Sequence, residues 1–143
     1  MLEEYDRTLP YRLGFAVVFF LIMGLWDWFK NPENPTRLRE YRFLLLSIIL
    51  WVAYGIVHDH LTATISPEYF LNAKGLARST QTYRWAVTLL AAKATYGPGA
   101  LVGALLLIAN NPKPDRPQLG YAELTRICIG CMLFAAGTAT LLG

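Results

Sequence analysis

The sequence predicts an all-α integral membrane protein with four transmembrane helices, and three observations carry that expectation. Of its 143 residues, 55% are hydrophobic and 16% charged, against about 25% charged in a typical soluble domain. The apolar residues are gathered into long blocks rather than spread at amphipathic spacing, which is the pattern of membrane spans. A chain of this length holds about four such spans with short connections, and no extramembrane domain of independent size. The formal net charge of +3 is ordinary for basic membrane loops. It points to the lipid bilayer as the first partner and gives no reason to expect nucleic acid. Two cysteines provide no disulfide framework.

The first span is expected over residues 11–29, through FAVVFFLIMGL, with Trp26, Trp28 and Lys30 closing it as an aromatic and basic anchor. Asp27 lies between the two tryptophans. Glu3, Glu4 and Asp6 stand where a signal peptide would be positive, so this span is expected to stay in the mature protein. The stretch Asn31-Pro32-Glu33-Asn34-Pro35 is a turn cluster. Asn34 is the expected cap of the next helix and Pro35 its first helical position.

The second span is expected over residues 41–62, with Arg37, Arg39, Glu40 and Arg42 in the turns before the apolar run begins at Phe43. Thr62, Thr64, Ser66 and Pro67 predict its end. The segment to Thr82 is the longest loop, with Lys74, Gly75 and Arg78, and has room for a short interfacial helix. A third span over residues 85–109 is interrupted by Lys93 and by Gly97-Pro98-Gly99, which should kink it. Asn110 to Gln118, with Pro112, Pro114 and Pro117, is a short stiff loop. The fourth span, residues 121–142, is rich in small residues. No internal repeat is present.

Loop cations set the expected orientation. Lys30, Arg37, Arg39, Arg42, Lys113, Arg116 and Arg126 lie on one side; Arg7, Arg12, Lys74, Arg78 and Arg84 lie on the other. Seven against five places the termini and the loop after His58 outside, on the periplasmic face of a bacterial inner membrane.

The most informative polar stretch is His58-Asp59-His60 running on to Glu68-Tyr69-Phe70. The uncharged run before it, Phe43 to Val57, is 15 residues, or ~22 Å of a hydrocarbon core about 30 Å thick. The motif therefore falls at or just inside the boundary, where ionisable groups need partners and are functional candidates. His58, Asp59, Thr62, Glu68, Tyr69 and Lys93 are the residues singled out. No cofactor is predicted, although His58, His60 and Glu68 are residue types that could hold a metal ion. Positions i and i+2 point about 200° apart on a helix, however, so both histidines reach one ion only where the helix has unwound. General acid–base use is open to the same groups. No third element defines a reaction, and no catalytic residue is assigned. Lys93, ~12 Å into its span, is expected to pair with Asp59 or Glu68.

Cys128 and Cys131 form C-x-x-C inside an apolar helix, where burial favours small hydrophobes over a redox pair. Gly99 and Gly103, with Ala100 and Ala104 beside them, permit close helix approach, as does Ala135-Ala136-Gly137-Thr138-Ala139.

The stretch Tyr54-Gly55-Ile56-Val57-His58-Asp59, then Thr62 and Glu68-Tyr69-Phe70, resembles an uncharacterised family of small bacterial multi-pass membrane proteins with a Y-G-x-x-H-D-x-x-T…E-Y-F motif. The basic approach to the last span, Arg116-Pro117-Gln118-Leu119 through Leu124 and Arg126, is a second similarity. Together they cover roughly Trp51 to Leu142. Family members carry Gln where this chain has His60, begin near the second helix, and continue beyond the position of Gly143. The resemblance implies membrane location and the position of the motif, and it implies no activity.

The function expected is that of a non-enzymatic accessory subunit packing against other membrane protein subunits. Two alternatives stand beside it. One is a membrane enzyme or metal-handling protein using His58, Asp59 and Glu68. The other is a small transporter, for which Lys93 and the Pro98 interruption are suggestive features.

Overall fold

The computed structural model describes residues 2–76, 80–111 and 117–142. Arg78, Lys113 and Arg116, counted above for orientation, lie outside them. Four long helices follow one another: α1 (Leu2–Lys30), α2 (Thr36–Ile65), α3 (Thr80–Ala109) and α4 (Tyr121–Leu142), with a π-helical turn at Tyr69–Ala73 between α2 and α3. No strand occurs among the described residues. Three of the helices are long and apolar enough to cross a membrane, over Thr36–Ile65, Thr82–Ala109 and Tyr121–Ala139. The chain divides into two compact units, Met1–Arg42 and Phe43–Gly143.

In the first unit, α1 meets the start of α2 across a tight turn. Gly24 is buried, and a β-carbon there would lie 3.0 Å from Leu38 Cδ1. The rings of Phe20 and Tyr41 stand 5.1 Å apart. The start of α2 differs from the sequence expectation by one residue, and its cap comes from elsewhere. The Pro35 carbonyl accepts the Arg39 N–H at 3.3 Å, so Pro35 is the capping position, and its ring has no oxygen to offer. Asp27 supplies one from α1. Its carboxylate accepts the backbone N–H of Arg37 at 2.9 Å and of Leu38 at 3.4 Å, the two donors a cap side chain normally satisfies. Asn31 Nδ2 donates to the same carboxylate at 3.1 Å. This use explains a carboxylate only 7% exposed between two tryptophans.

In the second unit, α2 and α3 approach through glycine. A β-carbon on Gly99 would lie 2.9 Å from Ile48 Cα and from Trp51 Cβ, and one on Gly103 would lie 2.9 Å from Ser47 Cβ. At Gly55 it would overlap the Thr95 side chain, with Oγ1 at 2.7 Å. Ser47, 1% exposed, fills the seam. Its hydroxyl donates to the Gly99 carbonyl at 2.7 Å and lies 3.3 Å from Cys128 Sγ on α4. One short polar side chain thus touches all three helices. The α3 helix runs unbroken through Gly97-Pro98-Gly99.

The turn into α4 is closed by side chains. Asn110 donates to the Leu119 carbonyl at 3.0 Å and accepts the Leu119 N–H at 2.8 Å. Glu123 reaches back to the Gly120 N–H at 2.9 Å, which is the acidic half of a capping box.

Two predictions follow from this packing. Gly99→Ala forces backbone apart where Gly130→Ala meets nothing within 4 Å. Thermal unfolding in detergent should show the first destabilised by about 1–3 kcal/mol and the second unchanged or slightly stabilised. Asp27→Ala strips the α2 cap and should cost about 1–2 kcal/mol. Equal stability of Asp27→Ala and wild type would refute the capping role.

Candidate functional site

The polar motif stays helical. Because α2 continues to Ile65, His58 and His60 point to different sides, as their spacing requires. His58 lies against the Tyr54 ring, centroids 5.7 Å apart, and its Nδ1 is 3.4 Å from Asp59 Oδ1. Thr62 donates to the His58 carbonyl at 3.0 Å. His60 turns toward α3, with Nε2 2.8 Å from Thr88 Oγ1. The Thr88 hydroxyl donates to the Arg84 carbonyl at 3.0 Å, so its oxygen is left to accept from the imidazole N–H.

Arg84 closes this arrangement. It donates to the His60 carbonyl at 3.2 Å through Nη1 and to Thr64 Oγ1 at 3.1 Å through Nη2. Thr64 in turn donates to the His60 carbonyl at 2.8 Å. Imidazole, guanidinium and three hydroxyl or carbonyl groups therefore bind the last turns of α2 to the first turns of α3. The sequence reading used Arg84 only as a loop charge and did not use Thr88. A signal for both existed in their spacing: positions 84 and 88 share one helical face.

Beyond Ser66 the chain turns at Pro67 and enters the π-helical turn. Glu68 begins it with an exposed side chain that makes no capping bond. Tyr69 is half exposed, edge-on to Phe70 at 5.1 Å, with Lys74 Nζ 5.5 Å above its ring. Phe70 is the anchor of the segment. It is 1% exposed and packs with Ala63 and Val87, flanked by Leu76, Tyr83 and Leu90. Of E-Y-F, then, the phenylalanine holds the loop and the other two residues face outward.

Lys93 is exposed on α3. It falls between the contacts of Thr88 with His60 and Thr95 with Gly55, near the level of Ile56. The structure brings His58 to Asp59 and to the Thr62 backbone turn, and sends His60 to another helix. Among the described residues, no group of three or more His, Cys, Asp or Glu is placed to hold a metal ion. The two cysteines also part: Cys128 is buried at the Ser47 seam and Cys131 is exposed. Two buried donors, Trp51 Nε1 and the Tyr83 hydroxyl, have no protein partner among the described residues. What the arrangement can do with the groups it joins is clamp two helices.

Comparison with family models, curated proteins and solved structures gives no match to this chain.

If Phe70 is the anchor, Phe70→Ala should lower stability by about 3–5 kcal/mol and speed tryptic cleavage after the nearby Lys74. Tyr69→Ala should leave the cleavage rate within about twofold, since its ring is already half exposed.

Proposed function

We propose that this chain is a four-span protein of a bacterial inner membrane, with its termini and the loop after His58 on the periplasmic side. Its role is that of an accessory subunit, packed against a larger membrane complex. α1 serves as the fourth span in this reading, and its exposed Phe15, Val17, Val18, Leu21 and Ile22 suit a lipid or helix neighbour.

The observation that carries the subunit role is the outward face of α4. Gly130 and Gly137 are seven residues apart, so they share a face, and a β-carbon on either would meet nothing within 4 Å. Phe134 and Leu141, 75% and 86% exposed, lie on the same stripe. Small residues beside large apolar ones form the surface against which a membrane helix packs closely, because van der Waals contact and backbone approach drive association there. The polar motif is consistent with this role, since its His60, Arg84 and Thr64 groups are occupied in holding α2 to α3.

The expected result is a stoichiometric second polypeptide in native mass spectra after extraction in mild detergent. Gly137→Leu should lose it while keeping the wild-type melting temperature. A monodisperse monomer from the wild type would overturn the subunit role. Labelling of single cysteines placed in the loops tests the orientation separately: positions 31–35 should be shielded from a periplasmic reagent and position 74 open to it.

A further inference from the structure

Among the described residues of the first unit, Arg39 and Arg42 stand together on α2 with no counter-charge, and their placement indicates a ligand. Arg39 and Arg42 are exposed, and neither guanidinium has a carboxylate or carbonyl partner among the described residues. Three residues apart on α2, they lie about 60° from each other around the helix and ~4.5 Å apart along it. Leu38 and Tyr41 face α1, through Gly24 and Phe20. The two arginines flank that seam on one side. Glu40, the one acidic residue of these turns, is about 100° from Arg39 and about 160° from Arg42, so it faces away from both.

A second observation fixes the depth of the pair. Trp26 and Trp28 are 67% and 48% exposed, and indole rings of this kind settle at the headgroup level. Between them, Asp27 holds the backbone of Arg37 and Leu38, so the first turns of α2 start at the tryptophan level. Arg42 immediately precedes the apolar run from Phe43. The Asp27 carboxylate already occupies the helix N-terminal donors, so an anion at these turns is left to the exposed cations, of which Arg39 and Arg42 stand nearest the apolar run. Guanidinium forks match phosphate oxygens in geometry as well as charge.

We propose that Arg39 and Arg42 form a binding site for the phosphate of an anionic phospholipid, with Trp26 and Trp28 marking the headgroup level. The proposal rests on the membrane reading above and not on the subunit role. Free phosphate presents the same chemistry to the arginines but has no acyl chains to lie along the exposed faces of Leu21, Ile22 and Leu25.

The test measures binding to purified full-length protein in neutral detergent, by native mass spectrometry and thermal shift. The probes are phosphatidylglycerol, phosphatidylcholine and inorganic phosphate. Phosphatidylglycerol should be retained and should raise the melting temperature; phosphatidylcholine and inorganic phosphate should do neither. The double variant Arg39→Gln/Arg42→Gln should bind phosphatidylglycerol about thirtyfold more weakly, taking each arginine as about fivefold. Lys74→Gln, a cation of the second unit, should bind as wild type. Arg39→Lys/Arg42→Lys keeps the charge but not the fork and should bind more weakly than wild type and more tightly than the Gln variant, which guards against a folding defect in the latter. Equal binding of the two lipids, an equal effect of inorganic phosphate, or full retention in the Gln variant would each overturn the site. Failure of the membrane reading would look different, as protein recovered in soluble form without detergent.

Discussion

The close approach of α2 and α3 is the constraint on which the second unit depends. Both helices are long and apolar enough to cross a membrane, and between apolar helices in lipid packing contact and internal hydrogen bonds take the place of a hydrophobic gain. Glycine at 55, 99 and 103 removes the side chains that would keep the backbones apart. Ser47 then bonds to the Gly99 carbonyl and touches Cys128, so α4 joins at the same point. A larger residue at 47 would displace both neighbours. Once Ser47 sits at Gly99 and Gly55 at Thr95, the antiparallel register is set, and His60 must arrive opposite Thr88. The polar clasp at the end of α2 is thus a consequence of the glycine seam several turns away.

Helix ends impose the second constraint, since their unpaired backbone groups must be satisfied near a medium that offers few partners. Side chains solve this at three of the described junctions. Asp27 on α1 caps α2, Arg84 on α3 binds the last turns of α2, and Asn110 fixes the approach to α4. Threonine hydroxyls inside the helices bond back one turn, at Thr62, Thr64, Thr88, Thr95 and Thr125. Their polar atoms thereby make no demand on the apolar surroundings. The buried indole N–H of Trp51 and the Tyr83 hydroxyl stand outside this economy.

Helix positions were legible in the sequence because apolar blocks and proline-rich breaks report on chain segments one at a time. Gly99 and Gly103 were legible as a close-approach face, but the helix they meet was not, because glycine spacing names no partner. Ser47 went unnoticed as one polar residue in an apolar run, although a hydroxyl in such a place needs a bond. Asp27 shows the same limit. Local rules look for a cap within a residue or two of the helix start and so favour Asn34, whereas the oxygen comes from the preceding helix. His60 was weighed as a metal ligand because its ring chemistry is local, and its bond to Thr88 depends on a register that only packing defines.

The short apolar run before His58 has a physical resolution in this arrangement. Phe43 to Val57 alone is too short to cross a hydrocarbon core, yet α2 continues to Ile65 without a break. Polar residues can extend a span only if their polar atoms are turned inward and matched. Thr62 and Thr64 bond to the helix's own carbonyls, and His60 and Thr64 bond across to α3. Val57, Leu61 and Ile65, spaced four apart, stay on the exposed side. The last two turns of α2 therefore present an apolar stripe outward, with the polar groups of His60, Thr62 and Thr64 beside it satisfied by hydrogen bonds. His58 borders the apolar stripe, and Asp59, its Oδ1 3.4 Å from His58 Nδ1, lies on the face that carries the buried Gly55 and Ala63. With the exposed Glu68, they are the ionisable groups of the motif that the clasp leaves unattached to another helix.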